Sequence, residues 1–264
     1  MQMKQSEELR VAIKAAKEAG KVIMRHYGQL HHIKVKTARL GIVTEADFEA
    51  QRIIKAVIRK AFPKAWFLAE EDKKHPKISN AEMWVVDPLD GTKNFSRGLK
   101  LFAVSIALVK NKKPVLGVVF DPATGDLFFA EKGKGAFLDG KRIHVSKVKA
   151  MREAFFDIPL SIREGMRAKG LLVLKKLMKR LGTLRILGAA APRLAFIASG
   201  RLDAYIEHGT YPWDIMAGVL ILQEAGGRVT DEKGAPFSLF SSDRQTIVAS
   251  NGRIHAQIIR ELNK

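Results

Sequence analysis

Apolar residues recur every three or four positions twice near the start of the chain, at Leu9, Ala12, Ile13, Ala16, Ala19 and Ile23, then at Ala50, Ile53, Ile54, Val57, Ile58 and Ala61. Each set falls on one face of a helix, which predicts two amphipathic helices. From residue 102 to 145 the pattern changes to short β-type runs, 103–109, 115–120 and 126–130. They are split by Asn111-Lys112-Lys113-Pro114 and by Asp121-Pro122-Ala123-Thr124-Gly125, turn chemistry that predicts antiparallel strands. Beyond residue 147 helix and strand patterns alternate: helix over 162–181, strand 183–187, helix 193–199, strand 204–207, helix 214–225, strand 246–249 and a last helix from 253. The chain thus reads as an N-terminal α+β half, residues 1–147, and a C-terminal α/β half, residues 148–264. No Gly-, Ser- or Pro-rich linker marks the boundary, so the halves are expected to pack intimately, even as one domain.

With 264 residues, 47% of them hydrophobic, the chain can bury a substantial core. The absence of cysteine excludes disulfides, zinc–thiolate sites and cysteine nucleophiles. The N-terminal stretch is charged throughout and no run nears the roughly 20 apolar residues of a membrane span, so a soluble, cytoplasmic protein with no membrane partner is expected. The net charge of +19 raises a nucleic-acid reading, because Lys and Arg neutralise phosphates. The basic residues run from Lys4 to Lys264 and form no low-complexity tail, so a solvated basic surface is favoured over a nucleic-acid partner. Such a surface can steer small anions, within a screening length of about 8 Å at physiological salt. A Lys-rich, cysteine-free chain with 28% charged residues also fits a thermophile.

Acidic residues are scarce, 27 against 46 basic, so their placement carries information. The run Trp84-Val85-Val86-Asp87-Pro88-Leu89-Asp90-Gly91-Thr92 ends an apolar strand in two carboxylates separated by Pro88, followed by a Gly-Thr turn. Two carboxylates at that spacing can face one cation, while the backbone N–H groups of Gly91 and Thr92 can approach an anion. Phe67-Leu68-Ala69 leads in the same way into Glu70-Glu71, which puts Glu70 outside a second strand end, where α/β proteins place ligands.

These motifs, with Ala69-Glu70-Glu71 upstream and Trp213-Asp214-Ile215-Met216-Ala217-Gly218 downstream, closely resemble the inositol monophosphatase superfamily, including archaeal-type enzymes that also hydrolyse fructose 1,6-bisphosphate. Val43-Thr44-Glu45-Ala46-Asp47 and Glu224-Ala225-Gly226-Gly227 extend the resemblance over essentially the whole chain. The resemblance implies a layered αβαβα sandwich, an α/β (α+β) fold, and Mg²⁺-dependent hydrolysis of a sugar or polyol phosphate monoester. Carried over by position, Glu70, Asp87 and the Leu89 carbonyl match the ligands of one Mg²⁺, and Asp87, Asp90 and Asp214 those of a second. Residues 33–39, with Lys36, align with a segment that covers the metal site in relatives and lack an acid some of them use there. Two firm ions and at most a labile third are therefore expected. Thr92 matches the hydroxyl that, with Asp47, orients the attacking water, and Glu70 is counted with them as catalytic.

On the substrate side, Asp90, Gly91, Thr92 and Asp214 would contact the phosphate ester. Gly188, Ala189 and Ala190 match backbone near the substrate ring, and Glu207 matches an acid that binds its hydroxyls. Several of these positions admit a second reading. Asp47 and Asp214 can each cap a helix, through Thr44-Glu45-Ala46-Asp47 and after Pro212-Trp213. Residues 188–191 can be a tight packing turn, Glu207 an exposed strand end, and Arg193 either a reach to a second phosphate or a surface cation. The resemblance also implies a homodimer. Two rival functions remain: a phosphatase for 3′-phosphoadenosine nucleotides, and an RNA-associated scaffold of the same fold.

Overall fold

The computed structural model describes residues 5–29, 34–37, 41–75, 81–160, 164–238, 240 and 246–264. Its central element is a seven-stranded sheet in which β4 (Met83–Asp90) is flanked by β3 (Phe67–Ala69), in parallel, and by β5 (Ala103–Lys110), antiparallel. The sheet continues antiparallel through β6 (Lys113–Phe120), β7 (Leu127–Glu131), β8 (Gly135–Leu138) and β9 (Lys141–Ile143). A two-stranded hairpin, β1 (Lys34–Thr37) with β2 (Gly41–Val43), precedes it. Lys36 lies in β1, but its side chain, and the rest of residues 33–39 outside β1, fall outside the described residues.

Helices α1 (Glu7–His26) and α2 (Glu45–Ala61) cover one face of this sheet, and α5 (Ala190–Ala198) with α6 (Pro212–Glu224) cover the other. A second sheet, ordered β11 (Thr183–Arg185), β10 (Phe155–Asp157), β12 (Ala204–His208), β14 (Thr246–Ser250) and β13 (Arg228–Thr230), packs on the far side of α5 and α6. Its outer face carries α4 (Glu164–Leu177) and α7 (His255–Leu262). A single-turn helix, α3 (Thr92–Ser96), follows β4. The layers therefore run αβαβα, with three cores between them.

Side-chain alternation explains the layering. On β4, Met83 and Val85 point into the core shared with α6 while Trp84 and Val86 point toward α1 and α2, so a continuous apolar run serves two cores. On β12, Tyr205 faces α5 and α6 while Ala204 and Ile206 face α4 and α7. Helix α6 is buried over Ile215–Leu222 without break, the mark of a helix with no solvent face.

Several boundaries differ from the periodicity. The helix expected over 162–181 spans Glu164–Leu177, and the strand expected over 183–187 stops at Arg185 because the Leu187 N–H turns to the Asp157 carboxylate. Helix α5 starts three residues before the expected 193, with Pro192 inside its first turn, where its missing N–H costs no intrahelical bond. The surface-cation reading of Arg193 is wrong: the side chain is buried among carboxylates, a burial that charge alone does not reveal.

The contact between α6 and β6 depends on Gly117, where a Cβ would lie 2.6 Å from the Ala217 carbonyl oxygen. Backbone supplies the obstacle, so neither element can yield locally. Gly117→Ala is expected to cost about 1–3 kcal/mol by overpacking, lowering Tm in a thermal melt by roughly 2–4 °C per kcal/mol. An unchanged Tm would mean the two layers slide freely.

Candidate active site

Strand β4 delivers three of the site residues. Pairing with β5 is regular down to Asp87 opposite Ser105, then slips so that Asp90 lies opposite Ala103. Pro88 has no N–H for the ladder, and the Leu89 N–H turns instead to Asp87 Oδ1 at 3.0 Å, which fixes that carboxylate. Gly91 then adopts φ 94°, a left-handed conformation that L side chains resist. A Cβ there would also lie 2.7 Å from the Leu101 carbonyl oxygen, so only glycine lets α3 start beside the strand end.

Parallel pairing of β3 aligns Ala69 with Val86, and the Glu70 N–H donates to the Val86 carbonyl at 3.1 Å, carrying Glu70 alongside Asp87. Asp214 arrives from the second half at the first turn of α6, whose N-terminus is tied to β5 by Ser105 Oγ donating to the Trp213 carbonyl at 3.2 Å. Carboxylate oxygens of Glu70, Asp87 and Asp214 all lie within 4.8 Å of one another. The Asp90 carboxylate stands outside that triad, its Oδ2 accepting from the Ala191 N–H at 2.6 Å.

Asp47 is the cap that one of its two readings expected, and its second oxygen meets Thr92. Its Oδ2 accepts from the Thr44 N–H at 2.7 Å and the Thr44 hydroxyl at 2.6 Å, a capping box at the start of α2, and its Oδ1 accepts from the Thr92 hydroxyl at 3.0 Å. One carboxylate can do both because it has two oxygens. Asp214 is likewise a cap, its Oδ2 accepting from the Tyr211 N–H at 2.9 Å.

Electrostatics mark the centre as unbalanced. Burial, then repulsion from Glu70 and Asp90, pushes Asp214 well above its ordinary range, and Asp87 is pushed up likewise by burial and by Glu70, Asp90 and Asp214. Burial raises Asp90 to about 7 despite the Ala191 N–H and the Arg193 guanidinium, and burial raises Asp47 to about 6 despite its hydrogen bonds. Like charges this close, with Asp87 fully buried and its neighbours half-buried, are stable together only when protonated or when a cation joins them. Oxygen-only donors that converge, Asp87 buried and Glu70 and Asp214 half-buried, fit a hard divalent ion such as Mg²⁺.

Of the residues expected to meet a substrate, Gly188 and Ala189 lead into α5, held by Asn94 Nδ2 donating to the carbonyls of Leu101 at 2.9 Å and Leu187 at 2.8 Å. Glu207 is the penultimate residue of β12, near Asp90 and Asp214, with Arg193 beneath it. Sequence reasoning missed Asp157 and Tyr205, and took Asn94-Phe95 only as part of the motif that follows Thr92, with no role for the Asn94 side chain. Asp157 left a signal, a lone acid inside the apolar run Phe155-Phe156-Asp157-Ile158, and Tyr205 lies two residues before Glu207, on the same face of its strand.

The layered fold, with acids converging from two strand ends and a helix start, defines an α/β protein built around a cation-attracting centre. Comparison with known proteins narrows the class. The model of the inositol monophosphatase family matches residues 4–264, and the chain belongs to that family. It is 38% identical to a fructose-1,6-bisphosphatase/inositol-1-monophosphatase of Thermotoga maritima, over 98% of this chain and 96% of that protein. It is also 38% identical to a protein of Xylella fastidiosa named Nus factor SuhB, over 88% of this chain and 84% of the other. The solved structure of the extragenic suppressor protein suhB from Bartonella henselae matches with a TM-score of 0.91 at 35% identity, over 98% of this chain and 99% of that one. Among the described residues no helix is long and apolar enough to cross a membrane.

Proposed function

We propose that this protein is a Mg²⁺-dependent phosphatase of small polyol or sugar phosphate monoesters, acting on inositol 1-phosphate, fructose 1,6-bisphosphate or both. The observation that carries the reading is the convergence of Glu70, Asp87 and Asp214 within 4.8 Å, beside an Asp47–Thr92 hydrogen bond of 3.0 Å. Glu70, Asp87 and the Leu89 carbonyl would hold one ion, and Asp87, Asp90 and Asp214 a second. Bound Mg²⁺ supplies Lewis acidity toward the phosphoryl oxygens and offsets the charge of the ester.

The chain's own groups do the rest. The Thr92 hydroxyl lies 3.0 Å from both Asp47 Oδ1 and the Leu89 carbonyl, yet it carries one hydrogen and cannot donate to both. Donation to Asp47 leaves a Thr92 lone pair to accept from a water and leaves the Leu89 carbonyl free as a ligand. Asp47 is then the proton acceptor of a relay in which Thr92 orients the attacking water. The N–H groups of Gly91 and Thr92 hold phosphate oxygens, and Glu207 with the 188–190 backbone holds the polyol.

Phosphate release from inositol 1-phosphate, fructose 1,6-bisphosphate and 3′-phosphoadenosine 5′-phosphate, measured with Mg²⁺ and with EDTA, tests the proposal. Turnover of at least one of the first two, faster than of the nucleotide and abolished by EDTA, is expected. Metal-independent turnover, or none, overturns it. A second reading, an RNA-associated role, draws support from the name of the Xylella relative and from the +19 charge. RNA binding that weakens steeply with salt and shows no sequence preference would reduce it to generic phosphate contact.

A further inference from the structure

Arg193 lies beneath Glu207 with 3% of its side chain exposed. Its Nη1 donates to Glu207 Oε2 at 3.0 Å, and its Nε stands 3.3 Å from Asp157 Oδ1, an ion pair misaligned for a hydrogen bond. The guanidinium also lies over the Tyr205 ring, 5.0 Å from its centroid, and the Tyr205 hydroxyl donates to the same Oε2 of Glu207. Asp157, wholly buried, accepts the Leu187 N–H on Oδ2 at 2.8 Å, immediately before residues 188–190. One side chain of α5 thus joins β10, β12 and the segment that opens α5.

Packing alone does not call for this arrangement, since apolar residues of similar volume often replace a buried ion network without loss of stability. The network does supply orientation, because the planar guanidinium fixes its partners at set angles where an ammonium would not. Only Glu207 emerges from it, 24% exposed. Two donors occupy Oε2, so Oε1 is the oxygen left to face a ligand.

We propose that Arg193 is a positioning residue for the hydroxyl groups of the substrate: with Tyr205 it immobilises Glu207 so that Oε1 accepts one hydroxyl, and through Asp157 it sets the backbone of residues 187–189. The inference rests on the polyol-phosphatase reading above. It replaces the idea that Arg193 reaches a second phosphate, because Asp157 and Glu207 already hold its charge.

The test compares wild type with the paired variant Arg193→Met/Asp157→Asn, in which the amide oxygen still accepts the Leu187 N–H and no unpaired carboxylate is buried. Kinetics are measured on whichever of inositol 1-phosphate and fructose 1,6-bisphosphate the wild type hydrolyses faster, and on p-nitrophenyl phosphate, which carries no hydroxyl. The KM for the polyol ester is expected to rise about tenfold with kcat little changed, as for lost uniform binding, while kcat/KM for p-nitrophenyl phosphate stays within about twofold. Tyr205→Phe, which removes only the second donor to Oε2, is expected to raise the same KM about threefold, a change that an intact fold allows to be read if the paired variant does not fold. Equal losses on both esters, or an unchanged polyol KM, overturn the inference. Wild-type protein that hydrolyses neither polyol ester overturns the underlying reading and this inference with it, whereas wild-type turnover with an even loss overturns this inference alone.

Discussion

Replacing Asp87 with asparagine is expected to lower kcat/KM for phosphate-ester hydrolysis by at least about a thousandfold, the scale on which removal of a preorganised electrostatic group acts. In EDTA the same change is expected to raise Tm by a few degrees. The two effects share one cause. Asp87 is buried and faces Glu70, Asp90 and Asp214, so its charge opposes folding until a cation is present. The sign follows from its raised pKa: the protonated carboxyl stabilises the metal-free fold below the ordinary value near 3.8, and that contribution is lost as pH rises toward the folded-state pKa. Asparagine stays neutral at every pH and keeps an oxygen for the Leu89 N–H. Mg²⁺ at about a hundred times its Kd would add about 2.7 kcal/mol to the wild type, and most of that increment should vanish in the variant. Thermal melts with EDTA and with Mg²⁺, beside phosphate release, make the comparison. A variant that keeps its turnover, or melts below wild type in EDTA, would show that Asp87 does not belong to a cation site.

Asp47→Asn is expected to lower kcat by about a hundred- to ten-thousandfold, the range for loss of a general base, with KM nearly unchanged and the Mg²⁺-induced rise in Tm retained. The separation is possible because the two oxygens of Asp47 have different partners. An asparagine can turn its oxygen toward Thr44 and keep the cap of α2, but its NH₂ then faces Thr92 and reverses that hydrogen bond. Thr92 can no longer pass a proton on. Loss of the cap alone would cost about 1 kcal/mol of stability and leave kcat unaffected, so the melt and the rate together separate the two roles. Burial lifts the Asp47 carboxyl to about 6 in the metal-free protein. An acceptor must be ionised, so activity should fall as pH drops below about 6, and Mg²⁺, by offsetting the Glu70 charge that contributes to the shift, should move this limb to lower pH. A pH–rate profile with no acid limb from pH 4 to 8, or an Asp47→Asn variant of full activity, would remove Asp47 from the relay.

What the sequence determined by itself was everything that short range controls. The two opening helices follow from apolar spacing, and the turn after β4 follows from Pro88 and Gly91, which constrain backbone within a few residues. Asp87, Asp90 and Thr92 are placed relative to one another by that same turn, so the core of the site was readable as a string. Tertiary structure alone decided which distant groups join it. Glu70 stands beside Asp87 because β3 pairs in parallel with β4, and Asp214 arrives because α6 is clamped between two sheets, a position that periodicity cannot express for a helix apolar on all sides. Arg193 is the clearest case. Charge predicts exposure, yet Asp157 and Glu207, from separate strands, draw its guanidinium into the interior. Hydrophobic pattern reports which face of an element is buried, whereas the partner of a buried charge is fixed only when the layers close around it.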